Sequence, residues 1–208
     1  MSQTSKTKGS TRAPYLAEYQ AAYDRTERFG LPIPPRVLVA KNCVNPDRTL
    51  RVLLDYFDQH HPDELLGQTV AINLALIPLL YEATQVPFQL TIGWVVRRGR
   101  VCAKHDDDLI ARFLVLKEQA WRNEGIPFHL WLTSPALEIL DVTFAMNLGW
   151  AKNRKECARL IIYQRLADSP KEPVYHPTLV GDAFFERIKL MVAFDEVPDA
   201  VAVRSSPE

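Results

Sequence analysis

Between residues 64 and 84 the chain is apolar nearly all round: Val70, Ala71, Ile72, Leu74, Ala75, Leu76, Ile77, Leu79 and Leu80 leave no polar stripe for water. A helix without a polar face is buried on every side, so other elements must wrap it. The sequence supplies them. Phe88 to Val96 alternates and is rich in β-formers, and Arg97-Arg98-Gly99-Arg100 reads as a hairpin turn into a second strand near Val101. Phe128 to Leu132 and Leu137 to Val142 read as two further strands joined by Thr133-Ser134-Pro135. The prediction is an α+β domain with a buried central helix packed on an antiparallel sheet. Pro78 falls inside that helix and predicts a kink, at a cost of about 3 kcal/mol where nothing compensates.

Residues 1–13 read as a disordered tail, 14–194 as a single domain and 195–208 as a C-terminal tail. Pro14 to Phe29 has helical spacing of Tyr15, Leu16, Tyr19, Ala22 and Tyr23, and Gly30 stops it. The three tyrosines read as packing rather than as a stacking platform. Val37 to Ala40 reads as a short strand. Asn45 caps a helix whose first position is Pro46, with Leu50, Leu53, Leu54 and Phe57 on one face. Asp106 to Trp121 is amphipathic and helical, Arg154 to Tyr163 is a short helix or a strand, and Asp182 to Met191 is a final helix. No internal repeat is visible.

The 208 residues carry 25 basic and 25 acidic side chains, so no net field draws nucleic acid or an anionic membrane. Three cysteines, Cys43, Cys102 and Cys157, without a Cys-x-x-Cys spacing, argue against a disulfide framework or zinc knuckle and favour a reducing cytoplasm. No stretch reaches the ~20 apolar residues of a membrane span, and Met1 to Arg12 has no apolar run for a signal peptide. His105-Asp106-Asp107-Asp108 invites a metal, but adjacent carboxylates at a helix start are the caps that complement its dipole. Neither metal nor cofactor is expected. Arg97, Arg98 and Arg100, the basic cluster, read as a solvated hairpin tip.

The order of helix, strand with histidine, strand with aspartate is that of a catalytic triad. Acyl-transfer chemistry of this type sets a nucleophile at a helix N-terminus, where free N–H groups and the dipole favour a thiolate and an oxyanion. A histidine takes the proton and an Asp fixes its tautomer. Gly67-Gln68 opens the long helix, His129 starts a strand, and Asp141 lies past the turn on the next. Alternation puts His129 and Trp131 on one face and Leu130 and Leu132 on the other.

Gly67-Gln68-Thr69 resembles the Gly-Gln-Cys that opens the nucleophile helix of the transglutaminases. Gln85-Val86-Pro87-Phe88-Gln89-Leu90-Thr91-Ile92-Gly93-Trp94 is similar to that family's Gly-Ile-Pro-Ala-Arg-x-x-x-Gly-Tyr. His129-x-Trp131-Leu132 and Ile139-Leu140-Asp141-x-Thr143 resemble its His-x-Trp and apolar-apolar-Asp-x-Thr segments. The resemblance covers roughly residues 64–145. It implies a papain-like core, His129 as general base, Asp141 as its orienting partner and Trp131 as a shield.

The departure is at the nucleophile, which falls on Thr69 or Val70 according to the motif used for counting. A Thr hydroxyl is an alcohol, and the threonine hydrolases use their own N-terminal amine as base. The expectation is therefore a catalytically degenerate transglutaminase-like domain with Thr69, His129 and Asp141 as the relic triad. Gln68, Trp94 and Trp131 are the candidate binding residues, and a protein or peptide is the expected partner. The alternative is an active acyl-transfer or hydrolytic enzyme, of protease, deamidase or transglutaminase type, using Thr69 or a displaced cysteine such as Cys43. A third reading makes the likeness fortuitous, in a plain α+β interaction protein. The sequence sets no oligomeric state.

Overall fold

The computed structural model describes residues 12–39, 41, 43–65, 67–116, 127–151, 160–165 and 172–190. The elements are α1 (Arg12–Arg28), α2 (Pro46–Asp58), α3 (Pro62–Leu65), α4 (Thr69–Thr84), β1 (Gln89–Arg97), β2 (Arg100–Cys102), α5 (Asp107–Val115), β3 (His129–Thr133), β4 (Ile139–Asp141), α6 (Phe144–Ala151), β5 (Ile162–Gln164), β6 (Val174–Val180) and α7 (Ala183–Arg187). Residues 1–11, the 195–208 tail, the Trp121 end of the expected amphipathic helix, Cys157 and the Arg154 start of the helix-or-strand segment lie outside the described residues.

The strands pair antiparallel throughout, which makes the fold α+β. β1 is the hub. β6 occupies one of its edges from Thr91 to Val96, so β3, opposite Gln89 to Gly93, and β2, opposite Val95 to Arg97, share the other. β4 and β5 continue outward from β3. The sheet curls until its ends meet: Gln164 Nε2, on the last strand out, donates to the Pro173 carbonyl just before β6 at 3.0 Å.

Both faces are covered. On one, Val70, Ile72, Leu76 and Leu80 of α4 share a core with Leu90, Ile92, Leu130 and Leu132 of the sheet. On the other, Tyr15, Tyr19, Ala22 and Tyr23 of α1 pack with Val95, Trp131, Tyr175 and Val180. Every residue of β3 is consequently buried. Glu138, 1 % exposed, fastens the rim of this core. It accepts from the Cys43 and Val44 amides at 3.2 and 3.1 Å, from Ser134 Oγ at 3.0 Å and from the Tyr163 hydroxyl at 2.7 Å.

Several expectations shift. The helix read as continuous over 64–84 is two: α3 ends at Leu65 and α4 starts at Thr69, because Gly67 turns left-handed at φ 76°. α4 then runs on through Pro78. The amphipathic helix stops at Val115, since Leu116 is already extended at ψ 141°. Val37 to Val39 joins no ladder; the Val39 amide donates instead to the Pro135 carbonyl at 2.9 Å. The helix-or-strand segment contains β5. The final helix spans only Ala183–Arg187. Two elements went unread, β6 and α6. Among the described residues no helix is long and apolar enough to cross a membrane.

Candidate functional site

β3 and β4 form a hairpin in which Leu132 faces Leu140, so one more step sets Asp141 beside Trp131 and diagonal to His129. His129 Nε2 lies 2.7 Å from Asp141 Oδ2. The same oxygen accepts the Tyr175 hydroxyl at 2.8 Å. Oδ1 accepts the amides of Thr143 and Phe144 at 3.0 and 2.9 Å, which opens α6. Asp141 thus caps backbone N–H groups and holds His129 at once. All its acceptor sites are filled, as a carboxylate with 0 % exposure requires.

The electrostatics follow from that crowding. Burial pushes the Asp141 carboxyl upward, but the His129 ring and the two amides outweigh it and leave the pKa below the usual carboxylate value. Tyr175 moves the other way: burial first, then the neighbouring Asp141 charge, raises its phenol well above normal. With Nε2 facing a carboxylate, that nitrogen carries the proton and Nδ1 is left for another partner. The ring packs edge-on to Phe144 at 5.3 Å and stacks on Trp131 at 5.9 Å. Trp131 is fully buried, and its indole N–H donates to Tyr15, whose hydroxyl meets Thr133.

The other candidates lie apart from this pair. His129 opposes Gly93 and shares the α1 face with Trp131, whereas α4 packs on the opposite face. Val70 is buried in the α4 core. Thr69 Oγ1 accepts from Asn147 Nδ2 at 3.4 Å, so its hydroxyl contacts α6, and the α4 cap residue Gln68 makes no side-chain bond to the helix. Cys43 Sγ lies 3.6 Å from Glu138 Oε2, and burial above all raises its pKa, the opposite of an activated thiol. Trp94 stacks on His176 with 3.9 Å between ring centroids. Asp106 caps α5 through Leu109 N at 2.9 Å. Among the described residues no three His, Cys, Asp or Glu side chains converge for a metal.

Tyr175 and Glu138 escaped the sequence reading. Neither belongs to a motif, and a buried Glu is recognisable only when its donors are in place. Comparison with family models, curated proteins and solved structures finds no match to this chain.

Proposed function

We propose that this chain is a catalytically silent, transglutaminase-like module that binds a protein or peptide. One observation carries the reading: His129 is bound to Asp141, yet neither Thr69 nor Cys43 is its hydrogen-bond partner. A base and its orienting acid without a nucleophile perform no acyl transfer. Buried, with every acceptor site of Asp141 filled, the pair instead pins β3, β4 and β6 together. The test is turnover. Wild type and His129→Ala are incubated with a glutamine-donor peptide plus a fluorescent amine, and with an activated ester. Equal, background rates support the module, as does enrichment of a consensus peptide from a random library. Turnover that His129→Ala abolishes overturns it.

One register favours the enzyme alternative in a different form. Cys102 opposes Val95 and His129 opposes Gly93, along the same edge of β1 and on the same sheet face. Two strand positions separate them, about 7 Å between Cα atoms. Cys102 is unpaired with another cysteine and partly buried against the core that holds Trp131 and Tyr175. In this reading Cys102, not Thr69 or Cys43, is the displaced nucleophile. Alkylation of Cys102 that slows when His129 is replaced by Ala supports it; equal rates refute it.

A further inference from the structure

Between α1 and α2 the chain runs Leu31-Pro32-Ile33-Pro34-Pro35-Arg36-Val37-Leu38-Val39 without entering a helix or a strand. Local chemistry fixes the backbone of its first half. Proline rings hold φ at about −65° at positions 32, 34 and 35. A residue that precedes proline is pushed out of the helical region, which constrains Leu31 and Ile33 as well. The result is a polyproline II turn, left-handed, with about three residues per turn and no internal hydrogen bonds. Burial follows that period. Leu31 is 6 % exposed, and Pro34 is half-buried against Gly181, where an added Cβ would lie 3.1 Å from the proline Cδ. Pro32, Ile33, Pro35 and Arg36, on the two remaining edges, are exposed.

The segment is uncovered and yet anchored. Among the described residues, no backbone group from Pro32 to Leu38 is hydrogen-bonded. Its ends are fixed: the Leu31 amide donates to the Thr26 carbonyl at 3.2 Å, and the Val39 amide to the Pro135 carbonyl at 2.9 Å. The Arg36 guanidinium lies 4.4 Å from the Tyr23 ring centroid and 3.4 Å from Asp24 Oδ1, which draws it back onto α1. A second observation concerns apolar exposure. Ile33 is 45 % exposed, and Val37, Leu38 and Val39 follow in a row at 48, 40 and 39 %. Single exposed aliphatic residues are ordinary, but a run of three beside a proline ridge marks an interaction surface.

We infer that residues 31–39 are a docking ligand for a partner protein whose groove is lined by parallel aromatic side chains, of the kind that WW domains carry. Pro32 and Pro35 stand one turn apart on an outward edge, and their flat rings fit between aromatic faces. The prolines have no N–H, so the stretch offers mainly carbonyl acceptors, which an indole N–H or a phenol O–H in the groove satisfies. Addition to a sheet edge needs a ladder of N–H donors that the three prolines lack. Arg36 is already held by Tyr23 and Asp24, so the segment presents no unengaged cation to nucleic acid or anionic lipid. Because the ligand is ordered before it binds, docking costs little chain entropy.

The experiment is a titration of the ¹⁵N-labelled full chain with a panel of purified WW domains. Saturable shifts centred on residues 31–39, weakened roughly tenfold or more in Pro32→Ala/Pro35→Ala, bear the inference out. Both prolines face outward, so this variant keeps the wild-type Tm. Ile33→Asp/Leu38→Asp, also at exposed positions, is expected to lose binding in the same way. Absence of saturable shifts with every domain of the panel, equal binding by the variants, or shifts centred elsewhere on the chain overturns it. The inference stands apart from the function proposed above: His129→Ala leaves these shifts unchanged, so the failure of one is separable from the failure of the other.

Discussion

Tyr175 on β6 reaches over β1 and β3 to set its hydroxyl 2.8 Å from Asp141 Oδ2 on β4. Neighbouring strands lie about 4.8 Å apart, so three spacings in a flat sheet exceed one tyrosine's reach. The curl of the sheet closes the gap, and the bond in turn holds the curl. His129 is the third member, and its orientation depends on an aspartate that Tyr175 helps to fix.

Tyr175→Phe removes one of the four donors to the Asp141 carboxylate without opening a cavity. A hydrogen bond to a charged group contributes about 1.5–3 kcal/mol, and a loss in that range is expected from urea denaturation. An unchanged midpoint would mean that Tyr175 follows the curl without maintaining it.

Asp141 makes stability depend on acid pH. Its folded pKa lies below the unfolded value, so the unfolded state binds the proton first. The stabilisation is complete above the unfolded value of about 3.9 and is lost as pH falls toward the depressed folded pKa. Asp141→Asn removes this component and weakens the charge-assisted hydrogen bonds that His129, Tyr175 and the two amides donate. The expected cost is about 1.5–3 kcal/mol at neutral pH, with a shallower fall in acid, measured as stability against pH for both proteins.

Gly93 sits where β3 and β6 flank β1 and the Trp131 ring crosses it. A Cβ there would lie 2.2 Å from the His176 carbonyl oxygen and 2.5 Å from Trp131 Cη2. The first neighbour is backbone and cannot swing aside. Gly93→Ala is therefore expected at the top of the roughly 1–3 kcal/mol overpacking range or above it. Thermal denaturation checks this, and a Tm within a degree of wild type would refute the contact.

The tyrosines give an alkaline signature. Burial raises Tyr15, Tyr19 and Tyr175, and it raises Tyr163 to about 12, where Glu138 adds to the effect. The folded state holds these protons after the unfolded chain has released them. Stability is therefore intact below the ordinary phenol value of about 10 and falls as pH rises beyond it. Absorbance at the phenolate band is expected to rise for Tyr15, Tyr19 and Tyr175 only together with loss of circular dichroism. Release of all seven phenolic protons while the native circular dichroism persists would contradict the burial of Tyr15, Tyr19 and Tyr175.

Local rules were legible where they act within a few residues. Asn45 accepts from Arg48 N at 3.1 Å and Pro46 opens α2, as the cap pattern required. Gly30 ends α1 at φ 67°, and Arg98-Gly99 turns β1 into β2. β6 was hidden by Pro177, which argues against a strand. The structure admits it at a bulge: Gly93 pairs with Pro177 and Ile92 with Leu179, which leaves Thr178 unpaired. α6 was hidden because its first amides are capped by Asp141, a residue already counted as a strand end.

The sequence by itself determined the elements that depend on near neighbours: the caps, the turns, the alternation that parts Trp131 from Leu130 and Leu132, and the apolar α4. It also drew His129 and Asp141 out as a pair, because a hairpin is a local structure. Tertiary structure decided which face carries them. α1 and α4 both offer apolar surface, and periodicity fixes only that alternate residues separate, not which helix covers which side. The closing of the sheet, the reach of Tyr175 and the donors around Glu138 all join residues far apart in the chain. Such contacts form only when non-local packing outweighs the entropy of closing long loops, and no short window of sequence records that balance.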